Sequence, residues 1–311
     1  MSQPHPHHHH DHDPHGHQHP LPGLGRAVGI GITLNIAFVA IEAYFGWITG
    51  SLALLADAAH NLGDVGGLLL AWAAFAAAQL RPSDEKTYGW RRGSILASFI
   101  NALILLVAMG SLGWEAVQRL SDPHPIAAGT VMIVAAIGVV INTATAALFM
   151  AGRKEDLNIR GAFLHMAADA LVSLGVVVAG ALYLWQGWTW VDPVTSLVIA
   201  GVVIAGTWSL FRQSLHLLFD GVPEHIKLPE VRTCLQAIAG VASVHDLHVW
   251  AMSTADPALT AHLVTRGTRS TDDILHEAQH LLHDRFGIAH VTLQIEAEVC
   301  TAACAPGTLA R

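Results

Sequence analysis

The chain has 311 residues, of which 52% are hydrophobic and only 13% charged. That charged share is about half of what soluble domains carry, so an ordinary soluble protein is excluded. The formal net charge of −8 says little about partners, because it is split between two unlike halves; no basic, aromatic-interleaved surface points to nucleic acid.

Residues 5–19 hold nine histidines (His5, His7, His8, His9, His10, His12, His15, His17 and His19) together with Asp11 and Asp13. Pro4, Pro6, Pro14 and Gly16 interrupt the run, so residues 1–23 are read as a disordered tail rather than a packed element. Dense histidine is a metal-binding composition. A purification tag would be uninterrupted, which this stretch is not. The tail is expected to gather metal as an accessory, since a flexible segment cannot hold a fixed geometry.

Residues 24–218 form the membrane part. Six apolar stretches are predicted as spans, at roughly 27–48, 52–79, 94–119, 126–151, 160–186 and 191–215. Each approaches or exceeds the ~20 residues needed to cross a bilayer core. The first is too long for a signal-peptide core and follows an acidic, His-rich tail, so no cleaved leader is expected. Arg81, Lys86, Arg91 and Arg92 lie in the break after the second span, and Arg153, Lys154 and Arg160 in that after the fourth. The positive-inside rule places those breaks, and hence both termini, in the cytoplasm. Low charge and this loop pattern fit a bacterial inner membrane.

The second and fifth spans carry the chemistry. Asp57, His60, Asn61 and Asp64 fall at i, i+3, i+4 and i+7, one polar stripe on an apolar helix. His165, Asp169 and Ser173 repeat the idea in the fifth. Each ionisable group at bilayer depth costs roughly 2.5–3.5 kcal/mol to insert, and such groups usually mark an ion pathway. His60, Asp64, His165 and Asp169 together supply two nitrogens and two oxygens, a tetrahedral set of the kind Zn²⁺ accepts. A single intramembrane histidine is often satisfied by interhelical hydrogen bonds; a duplicated His-x-x-x-Asp at matching depth favours a metal. Glu42 and Asn142 either line the same cavity or serve as structural hydrogen-bonding groups. Glu115 reads as an exposed carboxylate at an outer helix end, and Asn35 and Asn101 are unassigned.

Residues 219–299 read as a soluble domain: helix 228–238, strand 243–251, strand 258–265, helix 271–286 and strand 290–297. This αββαβ order suits a small two-layer α+β domain. At under 100 residues its core is modest, and dimerisation would help it. Candidate metal ligands are His245, His248, His262, Glu296, Cys300 and Cys304, the last two in a tail of residues 300–311. Strand alternation puts His248 on the opposite face from His245. The spacing of Cys300 and Cys304 is one residue wider than the common C-x-x-C and is weak alone; with Cys234 they lie on the cytoplasmic side, where thiols stay reduced. His276, His280 and His283 fall at i, i+4 and i+7 of one helix and read as solvated residues; His225 is unassigned.

Three segments together resemble the cation diffusion facilitator family of metal/proton antiporters. They are Gly50-Ser51-Leu52-Ala53-Leu54-Leu55-Ala56-Asp57-Ala58-Ala59-His60-Asn61 through Asp64; Thr87-Tyr88-Gly89-Trp90-Arg91-Arg92; and Val244-His245-Asp246-Leu247-His248-Val249-Trp250. His165-Met166-Ala167-Ala168-Asp169 and a following Asp192-Pro193 add to the match, which runs from about residue 27 to residue 299. The resemblance implies a six-transmembrane-helix bundle with a C-terminal cytoplasmic ferredoxin-like domain, assembled as a homodimer. It also implies a zinc-preferring branch, from His rather than Asp at position 60, and regulatory metal at His245 and His262. One family site lies in the second break and uses histidine; here Arg81-Pro82-Ser83-Asp84-Glu85-Lys86 contains none, so that site is not expected.

The leading expectation is secondary active export of Zn²⁺ from the cytosol in exchange for H⁺, with no enzymatic activity. A membrane metal sensor is the competing class, though no signalling module is appended. An intramembrane metalloenzyme would want an H-E-x-x-H-like motif, which is absent.

Overall fold

The computed structural model describes residues 24–122, 124–150 and 157–298; the histidine tail, Cys300 and Cys304 lie outside the described residues. Six helices come first: α1 (Leu24–Thr49), α2 (Leu52–Ala78), α3 (Gly93–Ser121), α4 (Ala128–Phe149), α5 (Leu157–Gln186) and α6 (Val191–Leu218). Among the described residues, five helices (α2, α3, α4, α5 from Phe163, and α6) are long and apolar enough to cross a membrane, and α1 adds the apolar stretch Ile36–Thr49. The chain is an integral membrane protein of the helical type.

The helices are apolar all round because they face hydrocarbon outside and one another inside. Trp47, Trp72, Val107, Leu171, Trp185 and Val198 point outward and are exposed. Small residues let the backbones approach: Ala53, Ala56, Ala135 and Ala200 are buried among Phe38, Leu54, Met109, Val131 and Ile199. Packing runs α4 along α5 and α3 along α6, while α2 lies against α1, α3 and α6 and meets α5 only briefly.

Gly138 on α4 marks one close approach. A Cβ there would sit 2.6 Å from Phe38 Cζ and 3.2 Å from Ser173 Oγ. Gly138→Ala is therefore expected to cost about 1–3 kcal/mol by overpacking, read as a lower unfolding midpoint in detergent.

One helix start is capped from another helix. Ser51 Oγ accepts from Leu54 N–H (3.2 Å) in the ordinary N-cap way. The Asp192 carboxylate, in the first turn of α6, then accepts from both Ser51 Oγ–H (2.5 Å) and Leu52 N–H (2.9 Å). Nearby, Arg119 donates to the Gly50 carbonyl (2.5 Å) while pairing with Glu115 (3.0 Å). Glu115, expected as a plain exposed carboxylate, thus orients an arginine that ties α3 to the α1–α2 turn. Asp192→Ala should cost about 1–2 kcal/mol, the scale of a lost N-cap, measurable by the same unfolding experiment.

After α6 come α7 (Leu228–Gln236), β1 (Val241–Ala251), β2 (Pro257–Thr265), α8 (Thr271–Phe286) and β3 (His290–Glu296). The sheet order is β1-β2-β3, with β1 antiparallel and β3 parallel to β2. A parallel neighbour needs a crossover, and α8 supplies it. Val231 and Leu235 of α7 and Ile274, Ala278 and Leu282 of α8 bury one sheet face with Val244, Leu247, Val249, Leu259, Ala261 and Leu263.

The opposite face carries the polar residues, and a bulge decides which. His245 pairs with His262 but His248 pairs with Thr260, so β1 carries one more residue than β2 in this interval. Asp246 has φ 50° at the irregularity. The extra residue reverses the alternation: Val244 is buried before it, Leu247, Val249 and Ala251 after it. His248 therefore shares a face with His245, contrary to the simple parity expectation.

The soluble part touches the membrane part through Arg92 and Asp220, an exposed ion pair, through Thr254 N–H donating to Ser94 Oγ (3.1 Å), and through Tyr88 edge-on to His290 (5.4 Å between ring centroids).

Candidate metal sites

A turn of helix separates His60 from Asp64 on α2 and His165 from Asp169 on α5, so each helix presents one nitrogen and one carboxylate on one face. Where the two helices meet, the four groups interleave. His60 Nε2 lies 3.7 Å from Asp64 and 3.5 Å from Asp169; His165 Nε2 lies 3.2 Å from Asp64 and 3.6 Å from Asp169. The imidazole rings stand nearly perpendicular, with centroids 6.0 Å apart. Donor atoms of His60, His165 and Asp169 all fall within 4.8 Å of one another.

Asp64 Oδ2 and Asp169 Oδ2 are buried yet have no aligned hydrogen-bond partner among the described residues. These two oxygens therefore keep acceptor capacity that a cation can use. Access is uneven: the Asp169 side chain is 2% exposed and His165 41%, so the cluster is closed at one carboxylate and open at one imidazole.

A second polar layer lies beside it. Ser173 Oγ–H donates to Asp57 Oδ2 (2.8 Å), and Asn61 Nδ2 reaches Glu42 (3.4 Å) and Asp57 (3.5 Å). Glu42, Asp57, Asn61 and Ser173 are all buried. Glu42 thereby shares the network of the stripe on α2. Asn142 is buried with neither amide atom partnered among the described residues.

The sheet builds the other cluster. His245, His262 and Gln294 lie side by side across the three strands, and Glu296 follows Gln294 on the same face. Glu296 bridges the imidazoles, 2.8 Å from His245 Nε2 and 3.0 Å from His262 Nδ1, and also accepts from Gln294 (2.8 Å). These three donor sets lie within 4.8 Å. The bulge brings in two more groups: Asp246 sits 3.0 Å from His248 Nε2 and 3.6 Å from His262 Nε2. The His248 hydrogen bond holds the Asp246 carboxyl below its ordinary range. Asp246 was missed as a candidate in sequence; its signal was its place between two histidines, hidden because the bulge is not visible there.

A cavity of about 310 Å³ at the junction is lined by His216, Glu224, His225 and Asp256 among others, and belongs to neither cluster.

Two family models match the chain: the cation efflux transmembrane domain over residues 28–219 and the cation efflux protein cytoplasmic domain over residues 223–298. The chain is 36% identical over 266 residues to a "cadmium, cobalt and zinc/H(+)-K(+) antiporter" of Bacillus subtilis, covering 84% of this chain and 85% of that protein. It is 38% identical to the "metal cation efflux system protein CzcD" of Cupriavidus metallidurans (86% and 85% covered). Against the "zinc transporter ZitB" of Escherichia coli it is 35% identical (86% of each). A solved metal-bound C-terminal domain of the CzcD transporter matches at 39% identity and a TM-score of 0.22, over 23% of this chain and 99% of that one.

Proposed function

The chain belongs to the cation efflux, or cation diffusion facilitator, family of metal-ion transporters, and from that premise we propose that it exports Zn²⁺ from the cytosol in exchange for H⁺. The observation that carries this reading is the interleaving of His60, Asp64, His165 and Asp169 at 3.2–3.7 Å between α2 and α5.

Two neutral imidazoles and two carboxylates balance a divalent cation, which lowers the cost of holding it away from water. Nitrogen with carboxylate oxygen suits Zn²⁺ in tetrahedral coordination. Protonated imidazoles put positive charge where the cation sits, so metal and protons compete for one place. Ligands drawn from two helices that meet only briefly suit a site that opens to alternate faces as the helices shift. The reading takes six spans, α1–α6, from the apolar stretches; the loop charges then support a cytoplasmic place for the soluble domain and both termini, in a bacterial inner membrane. A homodimer joined through the cytoplasmic domain completes the assembly. Zn²⁺ held by His245, His262 and Glu296 would cross-link β1, β2 and β3 as a regulatory or structural ion, and the histidine tail would raise local metal concentration.

The test uses wild-type protein in vesicles loaded with a pH-reporting dye. A Zn²⁺ step on the soluble-domain side should drive proton movement opposite to zinc. Zinc binding with no flux and no proton movement would replace export by sensing.

A further inference from the structure

We infer that the solvent face of α8 carries a separate site for a borderline divalent cation such as Zn²⁺, held by His276 and His280. The two residues are one turn apart, and their ring centroids lie 4.5 Å apart at an interplanar angle of 49°. Both are exposed, and neither makes a hydrogen bond or ion pair with another described residue. His283, by contrast, holds Asp284 at 3.0 Å. Two neighbouring imidazoles with no such partner among the described residues, one turn apart on one helix face, are placed to share a cation.

The helix is a rigid base for such a pair. Ile274, Ala278 and Leu282 anchor its other face in the core, and Gly287 ends it in the left-handed conformation (φ 68°), donating to the His283 carbonyl (2.9 Å). Asp273, three residues before His276, falls on the same helical face and adds negative charge near the pair without joining it as a third close ligand. The helices cover the sheet face opposite to His245, His262 and Glu296, so α8 cannot contribute to that cluster.

Two imidazoles fixed at one-turn spacing make the second bond intramolecular, and that high effective concentration raises affinity well above one histidine's. With water filling the remaining positions, the cation exchanges freely. Imidazole selects zinc-like transition metals over Mg²⁺.

The test is histidine carbethoxylation of the full-length protein in detergent, read residue by residue by peptide mass spectrometry across a Zn²⁺ titration. His276 and His280 should become protected together, at the same zinc concentration, and Mg²⁺ should protect neither. In His276→Ala, protection of His280 should require at least about tenfold more zinc. Protection of His280 that survives His276→Ala unchanged, or full labelling of both residues at saturating Zn²⁺, would overturn the site.

Discussion

Asp169→Asn is expected to abolish zinc flux while leaving the protein folded. The Asp169 carboxylate is the most deeply buried of the four groups and faces both imidazoles, at 3.5 Å and 3.6 Å. Asparagine keeps its shape but removes one of the two charges that offset the cation. Removing one member of a buried charge pair typically costs about 3–5 kcal/mol, or roughly 100-fold to 1,000-fold or more in affinity. Zinc uptake into vesicles should fall to background while elution in size-exclusion chromatography is unchanged. Retained flux at ordinary zinc concentrations would remove Asp169 from the transport site.

His60→Asp should change which metal is carried rather than whether one is. His60 faces both carboxylates, at 3.7 Å and 3.5 Å. Replacing its nitrogen by a third carboxylate makes the set more anionic and oxygen-rich, which favours larger or harder ions and weakens the preference for zinc. Competition by Cd²⁺ against zinc flux should strengthen by about tenfold, equivalent to about 1.4 kcal/mol of differential binding. Unchanged Cd²⁺ competition would mean that His60 does not contact the cargo.

Much of this was legible in the residues. Apolar stretches of bilayer length need no tertiary context, and the expected 191–215 and 94–119 spans fall within α6 and α3. The αββαβ domain was read to within two residues at each end, helix 271–286 to the residue. The His-x-x-x-Asp pairs stood out because polar groups are rare in such surroundings. What stayed hidden depends on pairing between distant segments. The irregular alternation of Val244, Leu247, Val249 and Ala251 was visible, but only the register against β2 turns it into a bulge and brings His248 beside His245. Asp192 was visible as part of a family motif, yet its work as a cap for α2 spans 140 residues of sequence. His276 and His280 share a face by spacing alone, but their ring contact is a matter of side-chain conformation.

The most direct measurement is zinc flux in proteoliposomes under an imposed pH gradient, comparing wild type with the His60→Ala/Asp169→Ala double variant. Gradient-dependent flux in wild type, absent in the variant, is the predicted result. Equal flux in both proteins, or wild-type flux indifferent to the gradient, would contradict proton-coupled export through the cluster between α2 and α5.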